Sequence, residues 1–313
     1  MKKVRKSIAC AAAILCALAS VPASALTITA DYSQLGTVYQ LSNGELSNTL
    51  AAGATDVTGL FKSNVSTAIN YWQNAVHLQW NTTYTFQLAS LNSAVGDNAI
   101  TSFDANGRPT SSVLRVDTHN AANPNDGNVV GFFLDSTPAD NSEFGSIKSN
   151  VASLGGGNVN VGRIGTATSG PATGGYDMLS LLLHEIEHGL GFSSSSPRWN
   201  NVVNGAGDTL TVSSSLSGLP SSFGVPLSGS HIDGTASGGL FNDTTIALPG
   251  FVSGQRALLT AVDIYSICAV EGCAANEINT DPSASPVPEP GSVVMLVSGL
   301  ALLYQRRRAK AGA

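Results

Sequence analysis

The spacing of apolar residues changes several times along the chain, and each change predicts an element. Over residues 60–76, Phe61, Val65, Ile69 and Trp72 recur every three to four positions, the period of an amphipathic helix. Over 76–90 the period falls to two, with Tyr84, Phe86 and Leu88 alternating with Thr83, Thr85 and Gln87, which predicts a strand. Shorter apolar runs at 26–32, 112–116, 129–134 and 159–164 predict further strands. Residues 258–267, LLTAVDIYSI, predict a late helix, in which Asp263 suits a capping or pairing role. Loops rich in Asp, Asn, Gly and Pro at 104–107 and 123–127 separate the strands. They lack the spaced acidic ligands of a Ca2+ loop, so turn chemistry accounts for them.

The most apolar helical stretch is 177–192, DMLSLLLHEIEHGLGF. Met178, Leu179, Leu181, Leu182 and Leu183 lead into His184, Glu185 and His188. Histidines four apart lie on one helical face and can reach a single metal ion, with Glu185 near enough to take a proton from a water at that ion. Burying His, Glu and His in so apolar a helix is costly unless something pairs them, which weighs against a chance match. Glu187 falls on another face, where a solvated or supporting charge is expected. Gly191 can let the chain turn back beneath the site.

Both ends of the chain differ from its middle. Lys2, Lys3, Arg5 and Lys6, the apolar run 8–18 and Ala23-Ser24-Ala25 make residues 1–25 a signal peptide. At the other end, the Pro-rich segment 285–291 precedes apolar residues 292–304 and the basic cluster Arg306, Arg307, Arg308 and Lys310, a pattern that fits a transient hold on a membrane. Seven basic and 20 acidic residues remain between 26 and 285, a net charge of about −13. That charge, without a basic patch, excludes nucleic acid as a partner. Cys268 and Cys273 are the two cysteines outside the signal and can form a small-loop disulfide that staples the end of the domain.

Two resemblances follow from these residues. Val287-Pro288-Glu289-Pro290, the apolar segment and the arginines resemble the PEP-CTERM sorting tail of Gram-negative bacteria, over about the last 27 residues. That resemblance implies processing at the motif by an exosortase and release to or beyond the outer surface, while the signal peptide implies a signal peptidase as a second processing enzyme. His184-Glu185-x-x-His188-x-x-Gly191-Phe192 resembles the active-site helix of the metzincin metalloendopeptidases, especially the leishmanolysin-like branch. It implies His184 and His188 as ligands of one catalytic Zn2+, Glu185 as general base and Gly191 as the turn toward a third ligand.

The resemblance departs at two points. Compact metzincins place the third ligand where this chain has Ser194, a poor zinc ligand. The leishmanolysin-like branch inserts a long segment first, and after the Gly/Ser/Pro-rich residues 193–228 the one downstream histidine is His231, with Asp208 and Asp233 as oxygen alternatives. No methionine follows the helix before the tail, so Leu240 or Phe241 would supply the floor that a methionine provides in the family.

The implied fold is α+β and metzincin-like. An upper lobe (about 26–191) would carry a mixed twisted sheet and the metal helix, and a smaller irregular lower lobe (about 192–278) would end in a helix. Residues 26–284 would form the catalytic domain and 285–313 the sorting tail. The implied function is cleavage of protein or peptide substrates. The rival is a surface or biofilm matrix protein with a structural metal site, which Ser194 and the absent methionine favour and Glu185 disfavours. Tyr265 is a candidate oxyanion donor, His77 a residue packing beside Trp80, and His119 a loop residue.

Overall fold

The computed structural model describes residues 26–284 except 92–93, 119–130 and 249–251. The signal segment, the sorting tail, the 123–127 loop and His119 lie outside the described residues.

Four strands form the first sheet: β1 (Thr27–Asp31), β2 (Asn81–Ala89), β3 (Gly96–Phe103) and β4 (Pro109–Asp117), in the order β1-β2-β4-β3. β1, β2 and β4 are parallel, and β3 runs antiparallel at the edge. The period of two in β2 buries Tyr84 and Phe86, and the register pairs Phe86 with Leu114. Helix α1 (Thr58–Ala75) buries Phe61, Val65, Ala68, Trp72 and Ala75 along one stripe, as its spacing predicts. β3 was not foreseen. Its burial alternates weakly and its residues are mostly small or polar, as suits an edge strand with one wet face.

Of the four further sheets among the described residues, two frame the site. β5 (Lys148–Leu154), β6 (Gly157–Thr166) and β11 (Gln255–Ala257) form one in the order β11-β6-β5. The region after residue 192, expected to be irregular, instead carries β7 (Thr209–Val212), β8 (Phe223–Ser228), β9 (His231–Asp233) and β10 (Ala247–Leu248) as a four-stranded sheet. These strands are two to six residues long, and the longest, β8, is broken by Gly224 and Pro226, so they leave little periodic signal. The architecture is α+β.

The central helix α2 (Met178–Gly189) lies against α1, β3 and β4. Asp177 caps it, its Oδ2 accepting from the Ser180 N–H at 3.0 Å and the Ser180 hydroxyl at 2.6 Å. Every residue from Met178 to Glu187 is buried. Side chains from other elements grip its carbonyls: Trp72 Nε1 donates to Leu183 at 3.0 Å and the Tyr84 hydroxyl to Ile186 at 2.8 Å. Helix α3 (Ala261–Glu271) packs against β6 and β7, opened by a Thr260–Asp263 capping box and closed by Gly272. The Cys268–Cys273 disulfide forms around that end. Cys268 is fully buried within the main core, so the bridge reaches further inward than an end staple would.

Candidate metal centre

α2 presents His184 and His188 on one face, and β9 delivers His231 to the same point. The Nε2 atoms of His184 and His188 are 3.2 Å apart, as are those of His188 and His231. One ligand atom from each of the three residues lies within 4.8 Å of the others. Among the described residues, this is the group of histidines, cysteines and carboxylates that can hold a metal ion.

Backbone carbonyls set the chemistry of the rings. His184 Nδ1 faces the Thr245 oxygen at 3.0 Å, and His188 Nδ1 faces the Phe192 oxygen at 2.8 Å. A carbonyl only accepts, so both partners assign the ring hydrogen to Nδ1 and leave a lone pair on Nε2. Two lone pairs brought to 3.2 Å repel each other, and a cation between them removes that repulsion. The rings are also held neutral. Burial, and then the charges of His188 and His231, push His184 well below the ordinary histidine range. Burial and then His231 lower His188 to about 4, and burial lowers His231 as well.

Glu185 stands beside the cluster, its Oε1 4.0 Å from His184 Nε2. Burial, followed by the charge of Asp97, raises its pKa well above the usual carboxylate range. Its Oε2 is buried and accepts no hydrogen bond among the described residues. Gly96 in β3 leaves the space it occupies: a Cβ there would come within 3.0 Å of Glu185 Oε1 and 2.9 Å of Leu181 Cδ1. Asp97, the next residue, is ion-paired to Arg115 across the sheet.

Gly191 turns the chain off the helix at φ +115, a conformation that a side chain would strain. Ser194 then takes a supporting part. Its N–H donates to the Ser230 hydroxyl at 3.1 Å, joining the end of the turn to the residue before His231. Asp208 and Asp233 stay out of the cluster. Asp208 is exposed and accepts from Asn204 and Thr209, while Asp233 accepts from Thr235 and Ala236. Phe241, 2 % exposed, is the buried member of the floor segment, and Leu240 is 36 % exposed.

Three expectations are corrected. Glu187 is fully buried, and Asp263 of α3 lies near enough to bear on its charge. Burial and then Asp263 raise its pKa well above the ordinary range, and neither oxygen accepts a hydrogen bond among the described residues. Tyr265 turns its hydroxyl to the Ser217 carbonyl at 3.4 Å and packs its ring on Phe223. His77 is exposed, with its backbone N–H donating to Glu277 at 2.7 Å.

Two groups around the site escaped the sequence reading. Thr245 carries no motif, and its part comes from a carbonyl that any residue possesses. Arg256 is wholly buried, donating to Asp177 and Asp135 with its guanidinium over the Phe144 ring at 4.3 Å. An isolated arginine in a polar stretch gives no hint of such a place. No protein-family model and no curated protein matches this chain.

Proposed function

We propose that the protein is an exported zinc-dependent endopeptidase, with His184, His188 and His231 as ligands and Glu185 as general base. The observation that carries this reading is the convergence of three imidazoles, with Nε2 of His188 3.2 Å from those of His184 and His231, beside the buried carboxylate of Glu185. Zn–N bonds of about 2.05 Å at the tetrahedral angle put neighbouring nitrogens about 3.3 Å apart, close to those two spacings, and the whole set lies within 4.8 Å. Three imidazoles without a thiolate suit a catalytic site that keeps a fourth position open.

Bound zinc would polarise a peptide carbonyl and bring the pKa of a water near neutrality. Glu185 Oε2 accepts the proton of the attacking water and returns it to the departing amine. Burial raises its pKa above that of an ordinary carboxylate, which strengthens it as a base. A purely structural site has no use for a buried base against its ligands. The catalytic domain in this reading occupies 26–284, between a signal peptide and the sorting tail, and acts at or beyond the outer surface of a Gram-negative cell. The disulfide supports an oxidising destination.

Metal analysis and casein cleavage by the purified protein test the proposal together. The expected result is one zinc per chain, with cleavage abolished by a chelator and restored by Zn2+. A zinc-loaded protein that cleaves no protein substrate would leave a structural metal site on a matrix protein as the better account.

A further inference from the structure

Asp263 lies outside the ligand set, is fully buried, and gathers four hydrogen bonds on a single oxygen. Oδ2 accepts from the Thr260 N–H at 2.8 Å and the Thr260 hydroxyl at 2.7 Å, which caps α3. It also accepts from the N–H of Thr245 at 3.2 Å and from the Thr245 hydroxyl at 3.1 Å, across 18 residues of sequence. Capping alone needs only the first pair. The second pair grips the residue whose carbonyl receives His184 Nδ1–H at 3.0 Å.

From this geometry we infer that Asp263 is a positioning residue for the metal ligand His184, acting through Thr245. With its N–H and hydroxyl held on one side, Thr245 is fixed in rotation and its carbonyl points at the imidazole. The carbonyl in turn fixes the tautomer and plane of His184. All four bonds converge on one buried oxygen, where water does not compete with them. The same oxygen therefore joins the start of α3 to the metal centre, so that helix capping and ligand orientation share one anchor. Outer-shell partners of this kind typically set metal affinity over about 10–100-fold.

The inference rests on the metal-site reading, and a single titration separates the two. The metal-free full chain is titrated with Zn2+ against a chromophoric chelator for wild type, Asp263→Ala, Thr245→Val and Thr260→Ala. Asp263→Ala is expected to weaken zinc binding at least about 10-fold. Thr245→Val, which keeps the backbone N–H, should weaken it less. Thr260→Ala removes α3's hydroxyl cap but spares the Thr245 clamp, so it should lower thermal stability and leave affinity near wild type. Equal affinity in wild type and Asp263→Ala, or an equal loss in Thr260→Ala, overturns the inference while the metal site stands. Where Asp263→Ala fails to fold, unchanged affinity in Thr245→Val overturns it. A wild type that binds no metal overturns this inference and the proposed function together.

Discussion

Arg256 holds Asp177 through two hydrogen bonds, Nε to Oδ2 at 3.0 Å and Nη2 to Oδ1 at 2.8 Å, and Asp177 caps the helix that carries His184 and His188. Arg256 Nη2 also reaches Asp135 at 2.8 Å, and all three side chains are buried. The guanidinium is the common cation of two carboxylates that would otherwise lie uncompensated in the core. Arg256→Met is therefore expected to cost about 3–5 kcal/mol, the range for breaking a buried ion pair from one side. Urea unfolding measures it, and a loss below 1 kcal/mol, the scale of exposed pairs, would show that the cluster is not integral to the fold.

Glu185 separates chemistry from metal binding. Glu185→Gln retains the shape of the side chain but cannot take up a proton, so cleavage should fall about 10²–10⁴-fold with zinc content unchanged. Concurrent loss of zinc would assign Glu185 to the support of the ligands instead.

The third ligand is tested by comparison. His231→Ala should lose most bound metal, while Asp208→Ala and Asp233→Ala retain it, because both carboxylates are engaged in their own turns. Metal retained in His231→Ala and lost in either aspartate variant would sink the three-histidine assignment.

Glu271 gives the fold a pH dependence. Burial outweighs the nearby Arg198 and Arg108 and raises its pKa from 4.5 to about 8. Both arginines donate to the Glu271 backbone carbonyl and stand 3.5 and 3.8 Å from its Oε2, yet neither carboxylate oxygen accepts a hydrogen bond among the described residues, so burial prevails. A raised pKa means that the native state keeps a proton which the unfolded chain releases. Stability from this group is thus fully present below about pH 4.5 and falls as pH rises toward about 8, by up to ~1.4 kcal/mol per pH unit. Unfolding wild type and Glu271→Gln at several pH values between 5 and 8 should show a slope that the variant lacks. Parallel slopes would place the dependence elsewhere.

The sequence made α1 and the metal helix legible because each writes its environment into a local repeat. His231 was legible as the one histidine downstream of the 193–228 insertion. What remained hidden depends on partners far apart in the chain. Thr245 meets His184 across 61 residues, and Arg256 meets Asp135 across 121. Glu187 was misjudged because one helix in isolation cannot show what the rest of the chain packs over its outer face. The strands of the 209–248 sheet are two to six residues long, too short for alternation to rise above their Gly and Pro content.

The Ser194–Ser230 bond closes the neck of the excursion that separates the second and third histidines. Entropy rises only slowly with the length of a loop whose ends are already pinned. At its far side lies the exposed turn 204–208, where a side chain on Gly205 or Gly207 would meet nothing within 4 Å. The excursion is in effect a socket that can accept cargo. A peptide tag or a small domain grafted at 205–207 would extend the protein while leaving His231 seated.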